Sequence, residues 1–125
     1  MKILHLTLKK KWFDMIASGE KKEEYREIKW YWVRRLTTIG LFHRSVRYEF
    51  CNSLMDKMIP VATTLKQGNC NFSKYDFVCF RNGYHKKARE IIVKCNGILI
   101  GEGIPEWGAI KGEDYFVIKL GSIIL

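Results

Sequence analysis

From Ile3 to Leu8 the chain alternates, with Leu4, Leu6 and Leu8 on one side of an extended backbone and Ile3, His5 and Thr7 on the other. That two-residue period predicts a half-buried strand. Over residues 9–18 the period lengthens. Trp12, Phe13, Met15 and Ile16 form an apolar stripe at helical spacing, and Gly19 stands where a helix-terminating glycine belongs. Residues 22–28 predict a second short strand carrying charge at almost every position, which must be ion-paired wherever it is buried. One or two turns of helix are expected from Trp30 to Leu36. Val46, Phe50 and Leu54, four residues apart, predict a helix ending before Pro60, and an irregular loop runs on through Gly68-Asn69. Strands are then expected at 75–81, 89–96, 98–103 and 115–120. Asn96-Gly97 stands between two of them as a hairpin signal, and Asn82-Gly83 ends another.

One early helix with five or six short strands makes an α+β chain, a small and strongly curved sheet resembling a β-barrel with helical decoration. The 125 residues suit one domain over 1–125 rather than two with separate cores, and 47% hydrophobic residues exclude a disordered chain. No apolar run approaches the ~20 residues of a membrane-spanning helix, and the first residues do not read as a secretory leader. The expectation is a cytoplasmic protein. Cys51, Cys70, Cys79 and Cys95 lack the Cys-x-x-Cys spacing of zinc or redox sites, so free thiols are expected, with no metal and no cofactor.

Charge adds a direction. Lys and Arg number 22 against 13 Asp and Glu, and residues 1–47 alone hold twelve basic and five acidic side chains, a net of +7. A basic N-terminal third attracts polyanions and speeds their encounter at low salt. A solvated basic face without a specific partner explains the total equally well.

The densest chemistry follows Gly19. Lys21, Glu24 and Arg26 lie within eight residues, and Glu24 and Arg26, two apart, share one strand face. Lys21 has the opposite parity and joins them only if the glycine turn or a bulge redirects it. Such a group suits a phosphate, a carboxylate or a polar base edge, or a proton transfer. An ion-paired surface strand is the plain alternative.

Gly19-x-Lys21-x-x-Glu24-x-Arg26 resembles the Gly-x-Lys-x-x-Glu-x-Arg signature of the ASCH domain, a member of the PUA-like superfamily. The opening Leu4-His5-Leu6-Thr7-Leu8 with Trp12 to Ile16 is similar to that family's first strand and helix. Residues 103–108 and 115–121 are similar to its closing strands in small bacterial and phage-borne members. Residues 37–73 are left as an insertion or variable loop. The resemblance implies a PUA-like barrel of five or six mixed strands with helices over its ends and a cleft lined by the motif. It also implies RNA or a nucleotide as ligand. Lys21 and Arg26 would then contact anion or base, with Glu24 orienting them or accepting from a base amino group.

Two further segments fit such a ligand. Trp30-Tyr31-Trp32 with Lys29, Arg34 and Arg35 interleaves aromatic and basic groups, and Tyr31 is the candidate to stack on a base. Trp107 reads as a packing residue. The basic turn 81–89 offers Arg81 and Tyr84 as a second wall, or is simply a solvated tip. The leading expectation is a module binding RNA or a modified nucleotide or nucleoside. The alternative is a small amidohydrolase acting on an N-acylated nucleoside such as N4-acetylcytidine, because some short ASCH proteins resemble such enzymes. There the lysine activates a threonine at the position of Glu24. Glu24 supplies no hydroxyl for an acyl intermediate, so only water attack, with Glu24 as base and Lys21 on the oxyanion, fits this chain. Glu102 and Glu106 are candidates for an assisting carboxylate. A protein-interaction module, using Phe42, Tyr48, Met55 and Met58 as an apolar patch, is a third and weaker expectation.

Overall fold

The computed structural model describes residues 1–37 and 72–125. The predicted helix at Val46–Leu54, the loop after it and the patch of Phe42, Tyr48, Met55 and Met58 lie outside the described residues, as do Cys51 and Cys70. The elements run β1 (Ile3–Leu8), α1 (Lys10–Ala17), β2 (Glu23–Arg26), α2 (Trp30–Leu36), β3 (Phe77–Asn82), β4 (Glu90–Glu102), a 3-10 turn (Pro105–Trp107) and β5 (Asp114–Ile123). The strands form one mixed sheet in the order β1-β3-β4-β5-β2, with β1 and β3 parallel and β3 and β4 antiparallel. The class is α+β, as the pattern of periods predicts.

The chain divides into two compact units. The first comprises Met1–Glu24, Lys74–Gly97 and Ile118–Leu125. Its sheet register brings Leu4 beside Val78 and Val93, and Leu6 beside Phe80 and Ile91, so the alternation of β1 becomes one apolar face. All six are buried, and α1 packs on β3 with Phe13 and Ile16 also buried. Each such side chain contributes about 1.5–3 kcal/mol of burial. The opposite face carries His5, Thr7, Cys79, Arg81, Glu90 and Ile92 in the intervening register positions.

The second unit comprises Tyr25–Ser73 and Ile98–Val117. Its described core holds Val33 and Leu36 from α2, with Phe116 and a cluster of Tyr25, Ala109, Tyr115 and Val117. Trp107 packs partly buried against that cluster, the packing role expected of it. Thr37 and Phe72 form an antiparallel bridge, and the Ser73 amide donates to the Leu36 carbonyl at 2.9 Å. The two chain ends flanking 38–71 are thereby held together.

One expectation fails. Asn96-Gly97 is no hairpin: residues 90–102 are a single strand. A type I′ turn needs both central residues at positive φ, and here Gly97 is at +120° while, among the described residues, none other than glycine has positive φ. The strand instead runs on through Gly97, with Ile91 and Val93 buried before it and Ile100 buried after it. The charged second strand is real but shorter than expected, Glu23–Arg26 rather than 22–28.

Replacing Gly97 with alanine is expected to cost about 1–3 kcal/mol, because its φ is open only to glycine. Gly101→Ala, whose new Cβ would sit 3.4 Å from Leu99 Cδ1 at an ordinary φ, is expected to stay within about 0.5 kcal/mol of wild type. Urea unfolding of both variants checks the pair.

Candidate functional site

α1 ends by handing its last carbonyls to a glycine turn. The Gly19 amide donates to Ile16, and the Lys21 amide reaches back to the Met15 carbonyl at 2.9 Å. Gly19 sits at φ +85°, the left-handed conformation that reverses the chain at low cost. This turn supplies the redirection that the parity of Lys21 requires. Its side chain meets Glu24 within the first unit, Nζ to Oε1 at 2.6 Å, although the two are three residues apart and Glu24 lies on a strand. Both side chains are almost wholly withdrawn from water, at 1% and 6% exposure. Lys21 Nζ also stands 5.2 Å from the centre of the Trp12 ring. Trp12 reads from its spacing as part of the core stripe. Its role beside Lys21 becomes visible only once the glycine turn brings the lysine back over α1.

The neighbouring charges follow the same logic. Glu23 pairs with Lys119 of β5, and Glu27 with Lys29 at 2.9 Å. A strand with charge at almost every position is tolerated because its carboxylates are partnered.

Arg26 and Tyr31 belong to the second unit, where Trp32 joins them. The Arg26 guanidinium lies 5.1 Å from the Trp32 ring centre and that of Arg35 lies 5.3 Å from it. Arg35 is also 5.4 Å from the Tyr31 ring and donates to its hydroxyl at 2.9 Å. Tyr31 and Trp32 meet edge to face at 4.8 Å. Tyr31 is 58% exposed, so one end of this alternation of guanidinium and ring faces solvent. The motif arginine is thus tied to the aromatic run that follows it, through Trp32 and Arg35. Residues four apart on a helix meet, and the Tyr31/Arg35 spacing carried that signal.

Arg81 and Tyr84 stand in the first unit. Arg81 donates from Nη2 to the His85 carbonyl, while its Nε is buried without a hydrogen-bond partner. Its guanidinium holds the basic turn together. Tyr84 is 91% exposed. Glu102 and Glu106, the other carboxylates considered, are both exposed.

Cys79 faces the same side of the sheet as Arg81 and donates its thiol to Glu90 at 3.4 Å. Burial, helped by the hydrogen bond to Glu90 and that residue's charge, pushes the thiol up to about 11. Cys79 and Cys95 are both unbridged. Among the described residues no group of three His, Cys, Asp or Glu side chains is assembled to hold a metal. No described helix is long and apolar enough to cross a membrane.

No family model, curated protein or solved structure matches this chain. The candidate site therefore rests on its own geometry.

Removing one member of a buried ion pair strands the other. Lys21→Met and Glu24→Met are each expected to lower stability by about 3–5 kcal/mol, whereas Lys21→Met/Glu24→Met recovers most of the loss. Denaturant unfolding of the three variants measures the coupling. For Cys79 the raised value means that the folded chain holds its proton more tightly than the unfolded one. Its contribution to stability is complete below pH 9, the thiol's ordinary value, and disappears as pH rises towards about 11. Cys79→Ala is expected to flatten the loss of stability between those values in a pH series of unfolding curves.

Proposed function

We propose that this chain is a nucleotide-recognition module of the ASCH, PUA-like kind, binding RNA or a modified nucleotide through Lys21, Glu24 and Arg26 with the aromatic run after them. The observation that carries the reading is the arrangement of Arg26, Trp32, Arg35 and Tyr31. Alternating guanidinium planes and rings accept a further flat, electron-rich group at their exposed end, and a nucleobase is such a group. The guanidinium edges meanwhile point charge at phosphate oxygens. The buried Lys21–Glu24 contact supports the same reading. An ion pair held out of water contributes little net stability, and it presents fixed charges with fixed geometry. The net of +7 in residues 1–47 favours a phosphorylated ligand over a neutral one.

A second reading draws on the 2.6 Å contact alone. With Glu24 taking a proton from water and Lys21 facing the developing oxyanion, an N-acyl group is hydrolysed to a carboxylic acid and the free amine. Incubation with N4-acetylcytidine separates the readings: release of acetate and cytidine marks an enzyme, and unchanged substrate with measurable affinity marks a binder.

Stacking on an aromatic group is worth about 1–3 kcal/mol per base. Trp32→Ala and Arg35→Ala are accordingly expected to weaken binding of a short single-stranded RNA about 5- to 100-fold, with Trp32→Phe between them and wild type. Fluorescence anisotropy of a labelled oligonucleotide checks this. Wild-type affinity in all three variants contradicts the reading.

A further inference from the structure

The first unit carries a second basic feature that the motif does not include. Register pairs Leu8 of β1 with Asn82 of β3, and the Gly83 amide donates to the Leu8 carbonyl at 3.0 Å. The Asn82 amide in turn donates to the Arg89 carbonyl at 2.9 Å, closing the turn on itself. The Arg89 guanidinium reaches over the ring of Phe13 in α1, 5.5 Å from its centre. Two segments some seventy residues apart in sequence are thus fastened together at one end of β1. They bring Lys9, Lys10, Lys11, Lys86, Lys87 and Arg89, all exposed, to the same end. Two carboxylates accompany these six cations, Asp14, engaged by Lys10 at 2.6 Å, and Glu90, engaged by Cys79. Tyr84, at 91% exposure, stands in the same turn.

The placement of the lysines opposes the helix it begins. α1 opens with Lys9, Lys10 and Lys11, has no acidic residue in its first turn and no side-chain cap. Cations at that end repel the helix dipole, where a serine or aspartate would stabilise it. Local rules broken without a structural return mark positions kept for function. Exposed ammonium groups sharing one end of the strand with one exposed ring fit a chain of phosphates carrying unpaired bases. It does not fit a bilayer, which calls for several bulky apolar groups where this turn offers Gly83, His85 and lysines around a single tyrosine.

We infer that the surface formed by Lys9–Lys11 and the 83–89 turn tracks the backbone of single-stranded RNA, with Tyr84 stacking on a base, so that the ligand is a polymer rather than a free nucleotide. The inference rests on the nucleotide-binding reading for the chemistry of its partner and on its own residues for the contact.

The test compares wild type with Lys9→Gln/Lys11→Gln/Lys86→Gln/Lys87→Gln and, separately, with Tyr84→Ala. The probes are a labelled twelve-nucleotide RNA, a 5′-mononucleotide and vesicles containing phosphatidylserine. Four lost phosphate contacts reduce the slope of log affinity against log salt by about 3. The expected result is at least ten-fold weaker oligonucleotide binding by the quadruple variant, with that flatter slope and unchanged circular dichroism. Tyr84→Ala is expected to bind about five-fold or more weakly with an unchanged slope. Mononucleotide binding is expected to equal wild type in both. Oligonucleotide binding by the quadruple variant equal to wild type overturns the inference, as does lysine-dependent binding to vesicles but not to RNA. Wild type that binds the mononucleotide as tightly as the oligonucleotide overturns it while leaving the motif site standing. Oligonucleotide binding without mononucleotide binding, lost in the quadruple variant, supports the surface and removes the motif reading.

Discussion

A lysine and a glutamate taken out of water together are the constraint on which this account depends. Neither charge survives burial alone, because the cost of desolvating one ion is several kcal/mol. The contact of 2.6 Å between Lys21 and Glu24 therefore forces other features to be as they are. α1 must end where it does, Gly19 must turn the chain, and the Lys21 amide must return to Met15 so that the side chain comes back over Trp12. Glu23 and Glu27, on either side of Glu24 in the chain, are partnered by Lys119 and Lys29. Such an arrangement offers little stability over a well-packed apolar one of equal volume. Its return lies in holding opposite charges at fixed positions, which suits recognition of a polar ligand.

How much was legible beforehand follows from which interactions are local. Alternation and helical spacing reflect burial of one face, and Ile3–Leu8 and Trp30–Leu36 appear at their expected bounds for that reason. The proximity of Lys21 to Glu24 was readable as a conditional, since parity required a turn and Gly19 stood ready to make one. The hairpin at Asn96-Gly97 was misread because a dipeptide preference reports only the ease of a turn. Whether the chain uses it depends on what pairs beside it. There the Asn96 side chain lies so close to Gly121 that a Cβ on that glycine would meet it at 2.9 Å, and the strand continues. Joining Lys9–Lys11 to the 83–89 turn needed the β1–β3 register, which no local pattern contains. Trp12 beside Lys21 was hidden for a different reason, because the contact depends on how the turn at Gly19 brings the lysine back over α1.

The charge of the chain gains meaning from where it collects. Spread evenly, +9 would serve solubility. Here guanidinium groups lie over rings in the second unit, and in the first exposed lysines share one end of β1 with an exposed tyrosine. Guanidinium suits flat, directional contact, and ammonium suits a flexible anionic backbone. Under the nucleotide-binding proposal, base recognition and backbone attraction fall to different side chains, each in the role its chemistry favours.

The central claim is that the motif and the aromatic run after it meet a nucleotide ligand. Mapping amide chemical shifts of isotope-labelled protein during titration with a short single-stranded RNA tests it most directly. The account predicts progressive, saturable shifts at Lys21, Glu24 and Arg26 and along Tyr31–Arg35. Saturable shifts confined to other residues, or none up to millimolar RNA, would contradict it.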